Sequence, residues 1–210
     1  MSSATEPPRP LRSDARRNRE RLLGAARAVF AERGVDAPLE EIARRAGVSI
    51  GTLYNRFPAR DSLIEAVFTD RLEKLAALAR QALADPDPWH GFAGYLAALG
   101  QLQAADRGFN EVAARGLPAS PAIGELVKAG QADVAEIFRR AQQAGALRAD
   151  VTIEDLGFVV WGISRTVEMT ASRSPDLWRR HLALLLDGFR AEGAHPLPVP
   201  PAPGGHGQGS

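Results

Sequence analysis

Residues 39–57, LEEIARRAGVSIGTLYNRF, restrict the folds open to this chain more than any other stretch. Leu39, Ile42, Ala43 and Ala46 recur at the three-to-four spacing of one helical face, and Gly47 follows as a residue able to take the left-handed conformation that ends a helix. Ser49 is placed to cap a second, short helix over Ile50–Phe57, in which Leu53 and Phe57 face inward one turn apart. The other side of that helix carries hydroxyl, amide and guanidinium groups from Ser49, Thr52, Tyr54, Asn55 and Arg56, which suit phosphate oxygens and base edges. A helix, a glycine turn and a short polar helix form the helix-turn-helix pattern, whose second helix enters the DNA major groove. Paired amphipathic helices also occur in proteins that never meet DNA, so the flanks carry the decision.

Those flanks supply an ordered set of residues. Ala26 and Phe30 lie on a first helix, Gly34 follows it, Ile42-Ala43 and Ala46-Gly47-Val48-Ser49 surround the turn, and Gly51-Thr52-Leu53-Tyr54 with Phe57 make the second reading helix. Arg60 then opens a fourth helix. Across residues 19–68 this set resembles the N-terminal domain of the tetracycline-repressor (TetR) family of bacterial one-component regulators. The resemblance extends over about a quarter of the chain.

Two departures stand out. Arg56 replaces the histidine usual before the closing aromatic, which keeps a phosphate donor, and Ala37 and Ala59 stand where capping serine or threonine is common. Each missing cap costs about 1 kcal/mol. Pro38 at the first helical position, Glu40 and Glu41 behind it, and Asp61 near the start of the fourth helix compensate in part.

Composition limits the rest. With 210 residues, 45% hydrophobic and 24% charged, the chain can bury a sizeable core in at most about two domains. Ala, Leu, Arg and Glu dominate and strand-like runs are few, which predicts an all-α protein of about nine helices. There are no cysteines, and the four histidines, His90, His181, His195 and His206, lie far apart, so neither a metal site nor a cofactor is expected. No apolar run is long enough to span a membrane and no secretory signal is present, so a soluble, cytoplasmic protein is expected. Charge is uneven: residues 1–60 hold 12 Arg against 7 Asp or Glu, a balance of +5 that leaves −4 for the remainder. The basic end contains the suspected reader, and its attraction to a polyanion should be local and salt-dependent.

The domain boundaries read as a disordered arm over 1–13, a helix-turn-helix domain over 14–59, a helical effector-binding and dimerisation domain over 60–192, and a disordered Pro/Gly-rich tail over 193–210. Arg9, Arg12, Arg16 and Arg17 form either a phosphate-following arm or a solvated one. The first helix should run from Asp14 to Arg33, and the fourth from Arg60 to Ala84, where Asp85-Pro86-Asp87-Pro88 stops it. A fifth helix follows over Trp89–Ala105 and a short one over Arg107–Arg115. Further helices are expected over Ala122–Ala144, over about 153–172 behind a Thr152/Asp155 capping box, and over Pro175–Glu192 behind a Ser174 cap.

By analogy with the family, Thr52 and Asn55 are the leading base-contact candidates, and Tyr54, Arg56 and Arg60 are placed for phosphates. Arg44 can reach either, Ser49 caps the reading helix, and Gly51 lets that helix approach the duplex closely. For an effector, largely apolar and of unknown identity, Trp89, Phe92, Tyr95, Leu99, Gln103, Phe109, Trp161, Arg165 and Met169 combine aromatic surface with a few polar handles. Each of these taken alone is more often simple core, and Arg165 and Glu168 can equally pair with each other. The last two long helices carry more apolar surface than one buried stripe needs, which points to a second copy. The resemblance implies a four-helix dimer interface there, with Val160, Val167, Trp178, Leu182, Leu185, Leu186 and Phe189 as candidates.

The expected function is a homodimeric regulator, a repressor released from a palindromic operator by a small molecule. Alternatives are an activator or a partner-controlled regulator of the same fold, a nonspecific DNA-coating protein, and an enzyme or carrier with an incidental helix-turn-helix. No nucleophile-base pair or phosphate-cradling glycine loop supports an enzyme.

Overall fold

The computed structural model describes residues 10–105 and 120–199, and for residues 10–15 and Ala31 the backbone alone. Among the described residues there are eight helices and no strands: α1 (Pro10–Arg33), α2 (Leu39–Ala46), α3 (Ile50–Arg56), α4 (Arg60–Leu83), α5 (Pro88–Ala105), α6 (Pro121–Gln143), α7 (Ile153–Thr170) and α8 (Leu177–Phe189). The short helix expected over 107–115, Arg9 and the Arg12 side chain lie outside the described residues. The described residues divide into two compact units, with the breaks between Asp70 and Arg71 and between Ile123 and Gly124. The sequence boundary at 59/60 marks the start of α4, whereas the compact units separate further along that same helix.

In the first unit, apolar residues at helical spacing are buried as the periodicity requires. They are Leu22, Leu23, Ala26, Val29 and Phe30 on α1, Leu39, Ile42, Ala43 and Ala46 on α2, Leu53 on α3 with Phe57 after it, and Leu63, Val67 and Phe68 on α4. Gly47 ends α2 with φ 66°, and the Val48 N–H donates to the Ala43 carbonyl at 3.0 Å, so the turn closes on a left-handed residue. Helix α1 already runs from Pro10, ahead of the expected Asp14.

The structure answers the missing caps in ways the sequence reading did not anticipate. Pro38 precedes α2 rather than opening it. At α4 the Ser62 hydroxyl donates to the Ala59 carbonyl at 2.6 Å and accepts from the Ala59 N–H at 3.3 Å, the reciprocal half of a capping box.

The second unit is a helical cluster. Phe92, Leu96 and Leu99 of α5, Ile137, Phe138 and Ala141 of α6, Leu156, Val159, Ile163 and Val167 of α7, and Trp178, Leu182 and Phe189 of α8 make its core. Phe92 meets Phe138 and Phe189 edge-on, at centroid separations of 6.3 and 6.2 Å. Trp178 lies so close to α5 that a Cβ built on Gly100 would stand 2.4 Å from its ring.

Helix ends are again settled by side chains. Asp87 Oδ1 accepts from the N–H groups of Trp89 and His90 at 2.8 and 3.0 Å and caps α5, and Arg140 donates to the carbonyls of Leu83 and Asp85 beyond the end of α4. Asp155 accepts from the Thr152 N–H at 2.8 Å, the expected box. The Ser174 cap is not used: α8 starts at Leu177 and stops at Phe189.

The stretch after α8, expected to be disordered from residue 193, is held through Leu197. Leu147 and Arg190 form an antiparallel bridge, and Arg190 lies over the Trp89 ring at 3.9 Å. Buried Arg148 donates to the carbonyls of Gly188 at 3.3 Å and His195 at 2.5 Å and pairs with Asp150 at 2.6 Å. Asp150, its carboxyl held below the ordinary range chiefly by that Arg148 bond, also accepts a backbone hydrogen bond from Leu197.

Candidate nucleic-acid interface and ligand cavity

Helix α3 is fixed from beneath and open from above. Leu53 is fully buried and Phe57 nearly so, while Gly51, Tyr54, Asn55 and Arg56 are exposed and Thr52 half-buried. Gly51 and Asn55, and Thr52 and Arg56, are each one turn apart and share the solvent face, because residues four apart lie one above the other on a helix. Ser49 is exposed but committed to the helix start: its hydroxyl accepts from the Thr52 N–H at 3.1 Å and lies 2.8 Å from the Thr52 hydroxyl. Its role is to hold Thr52 in place. A Cβ at Gly51 would meet only Ser49 Oγ, at 3.9 Å, so this glycine is not required by the packing within the chain.

The two remaining cations differ from expectation and from each other. Arg60 donates through Nη1 to the carbonyls of Val35 and Ala37 at 2.7 and 2.6 Å, so that nitrogen secures the α1–α2 connection. That nitrogen is not available to a phosphate, and the expected phosphate contact falls to the other guanidinium nitrogens of the half-buried Arg60. Arg44 is largely exposed and 3.6 Å from Glu41, which also meets Arg33 at 2.8 Å. So loose a surface pair leaves its guanidinium available. Beside it, Arg45 donates to Glu32 at 2.6 Å and ties α2 to α1. That bond holds the Glu32 carboxyl below its ordinary range and Arg45 above its own.

The second unit contains an apolar cavity of about 270 Å³. Leu72, Leu75 and Ala79 of α4 and Tyr95 of α5 form one side. Leu126, Val127, Gly130, Gln131 and Val134 of α6 face them, with Ile153 at the edge. Of the effector residues expected from the sequence, Tyr95 alone lines this cavity. Phe92 is core and the Trp89 ring lies tilted beside it at 5.7 Å, while Leu99 and Gln103 are buried elsewhere along α5. Trp161 and Met169 are about 70% exposed on the outer side of α7, and Arg165 there donates to Glu168 at 2.6 Å. None of these residues lines this cavity, and Phe109 lies outside the described residues. The aliphatic lining was missed because Leu and Val at helical spacing look the same in sequence whether they meet a neighbour or a void.

The candidates for contact with a second copy divide by burial. Val167, Trp178, Leu182 and Phe189 are buried in the core of their own unit, and Val160, Leu185 and Leu186 are partly buried against it. The apolar residues that α7 and α8 leave open are Phe158, Trp161, Met169, Leu177 and Leu184. Between the helices the Thr166 hydroxyl lies 2.7 Å from His181 Nδ1.

Comparison with known proteins follows this division. Residues 22–67 match the family model described as bacterial regulatory proteins, tetR family. Residues 87–191 match that of the transcriptional regulator SbtR-like C-terminal domain. Among curated relatives, the transcriptional regulator UidR of Escherichia coli is 32% identical over 74 residues, which span 35% of this chain and 38% of UidR. Two solved structures align far more fully. A TetR regulatory protein from Mycobacterium vanbaalenii is 33% identical over 86% of this chain and 99% of its own, with a TM-score of 0.62. The TetR regulator SCO0520 of Streptomyces coelicolor is 32% identical over 82% and 98%, with a TM-score of 0.60. No helix among the described residues is long and apolar enough to cross a membrane. Since both units match and nearly the whole of a solved regulator aligns at one-third identity, the chain belongs to the TetR family of bacterial transcriptional regulators.

Proposed function

We propose that the protein is a homodimeric repressor that reads a palindromic operator through α3 and is released from it by a small molecule held in the second unit. The observation that carries the DNA-reading part is the solvent face of α3, where Thr52, Asn55 and Arg56 stand over a buried Leu53 and Phe57. Thr52 and Asn55 supply groups that discriminate base edges, and Arg56 binds phosphate. Two such helices related by a dimer axis read half-sites about one helical turn apart.

Selection of bound sequences from random duplex DNA by the purified protein at near-physiological salt tests this. A recovered palindrome supports the reading, and a folded dimer that enriches no motif overturns it. Arg56→Ala should weaken binding almost equally on every sequence and lower the salt slope of log K by about 1. A change in base preference in its place would move Arg56 from phosphate to base contact.

The dimer rests on Phe158, Trp161, Met169, Leu177 and Leu184, large apolar side chains left open on α7 and α8. Such a patch on neighbouring helices suits a second copy, since a two-fold interface brings the same surface from both subunits together. Trp161→Glu is expected to convert the dimer to a folded monomer in analytical ultracentrifugation, and with it to weaken operator binding. A dimer of unchanged strength would place the interface elsewhere.

Release requires only that the ligand prefer the conformation with low DNA affinity, with a coupling of about 1–3 kcal/mol. The apolar cavity between α4, α5 and α6 is the site that supports this part of the reading.

A further inference from the structure

The cavity beside Tyr95 says what kind of ligand it takes, an inference that rests on its reading as the effector site. Among the described residues its wall holds no Asp, Glu, Lys, Arg or His, and its only polar side chains are Tyr95 and Gln131. An ion placed there gives up its water without gaining a counter-charge, which is unfavourable for either sign. The one charge known to act on the wall is negative: burial, and then the Asp133 carboxylate, raise the Tyr95 phenol above its ordinary value. Asp133 lies on α6, two residues from Gln131, and Tyr95 lines both this cavity and the smaller recess beside Asp85 and His90.

Tyr95 is itself nine-tenths buried, and its hydroxyl has no protein hydrogen-bond partner among the described residues. The oxygen is not among the side-chain atoms sealed from solvent without a partner, so water can meet it, and a molecule in the cavity can take that water's place. A volume of about 270 Å³ is the liquid share of about nine waters, room for a molecule on the order of ten non-hydrogen atoms. We infer that the cavity binds a compact, uncharged and largely apolar molecule whose single hydrogen-bonding group is taken by the Tyr95 hydroxyl, and that it rejects the corresponding carboxylate.

The test uses the full chain, without DNA, and four probes of similar length: methyl octanoate, octanoate, octylammonium and nonane. Affinities are measured by calorimetry near neutral pH. Methyl octanoate should bind, and octanoate should bind about a hundredfold more weakly or not at all. Tyr95→Phe should cost the ester about tenfold and leave nonane unchanged. Gly130→Leu should abolish binding of the ester with the thermal transition retained, because a Cβ at Gly130 meets nothing within 4 Å and the larger side chain fills the cavity.

Octanoate or octylammonium binding as tightly as the ester overturns the inference, as does an ester affinity indifferent to Tyr95→Phe or no binding by any probe. These readouts do not involve an operator. Failure of release from DNA would therefore sink the repressor reading and leave the ligand class standing, and failure here would leave DNA reading intact.

Discussion

Gly100→Ala should destabilise the second unit by about 1–3 kcal/mol, the range for overpacking a filled core. The added methyl would stand 2.4 Å from Cζ3 and 2.8 Å from Cε3 of Trp178. Neither is the end of a flexible side chain: both belong to a rigid ring that is 1% exposed. Either the indole tilts out of its place among the core residues or α5 and α8 separate, and both lose dispersion contacts over many atoms. Elsewhere in a helix the same substitution would stabilise by up to about 1 kcal/mol through propensity, so the sign of the effect is itself diagnostic.

Thermal and denaturant unfolding of Gly100→Ala, Trp178→Leu and the double variant make the measurement. Trp178→Leu alone should be destabilising because it leaves a cavity. The double variant should be less destabilised than the sum of the two, with a coupling between about 0.5 and 3 kcal/mol, because the smaller side chain makes room for the methyl. Additive effects, or an alanine variant as stable as the parent, would show that the ring and the glycine do not meet.

Gly51→Glu should do the opposite, leaving the fold intact and removing function. The position is exposed, a Cβ there has room, and an acidic residue in the first turn of α3 is favoured by the helix dipole. Stability should stay within about 0.5 kcal/mol of the parent or rise slightly. Against DNA the same carboxylate meets a phosphate backbone at the face where the helix must come closest, and like-charge juxtaposition costs several kcal/mol. Binding to the selected operator should fall by roughly a hundredfold or more, with an unchanged melting curve. A variant that retains operator affinity would remove α3 from the interface.

Much of the first unit was legible because each of its features depends on near neighbours in sequence. The stripe Leu39, Ile42, Ala43, Ala46 is a property of one helix, Gly47 of one turn, and the Ser49 cap of three residues. The structural part that Arg60 plays was not legible, for the converse reason. Its carbonyl partners, Val35 and Ala37, lie more than twenty positions back, and nothing in the sequence distinguishes a guanidinium that will find phosphate from one that will find a loop.

The same limit governs the second unit. Trp161, Met169, Trp178 and Phe189 are all large and apolar, so periodicity marks them for burial without saying against what. The structure sends Trp178 and Phe189 into the core of their own unit and leaves Trp161 and Met169 outside. The aromatic residues with polar neighbours lie on α5 and α7, whereas the cavity has aliphatic walls from α4 and α6. Its existence depends on how helices are spaced, which no single residue type records.

The segment beyond α8 has a practical bearing on how the protein can be handled. Because Arg148 grips the backbone at Gly188 and His195 while Asp150 takes a hydrogen bond from Leu197, removal of everything after α8 would strip a buried guanidinium of part of its shell and uncover the Trp89 ring beneath Arg190. A truncation meant to trim a loose end would cut into a fastening of the fold, and the same grip should shield the peptide bonds between residues 190 and 197 from proteases despite a composition that invites them.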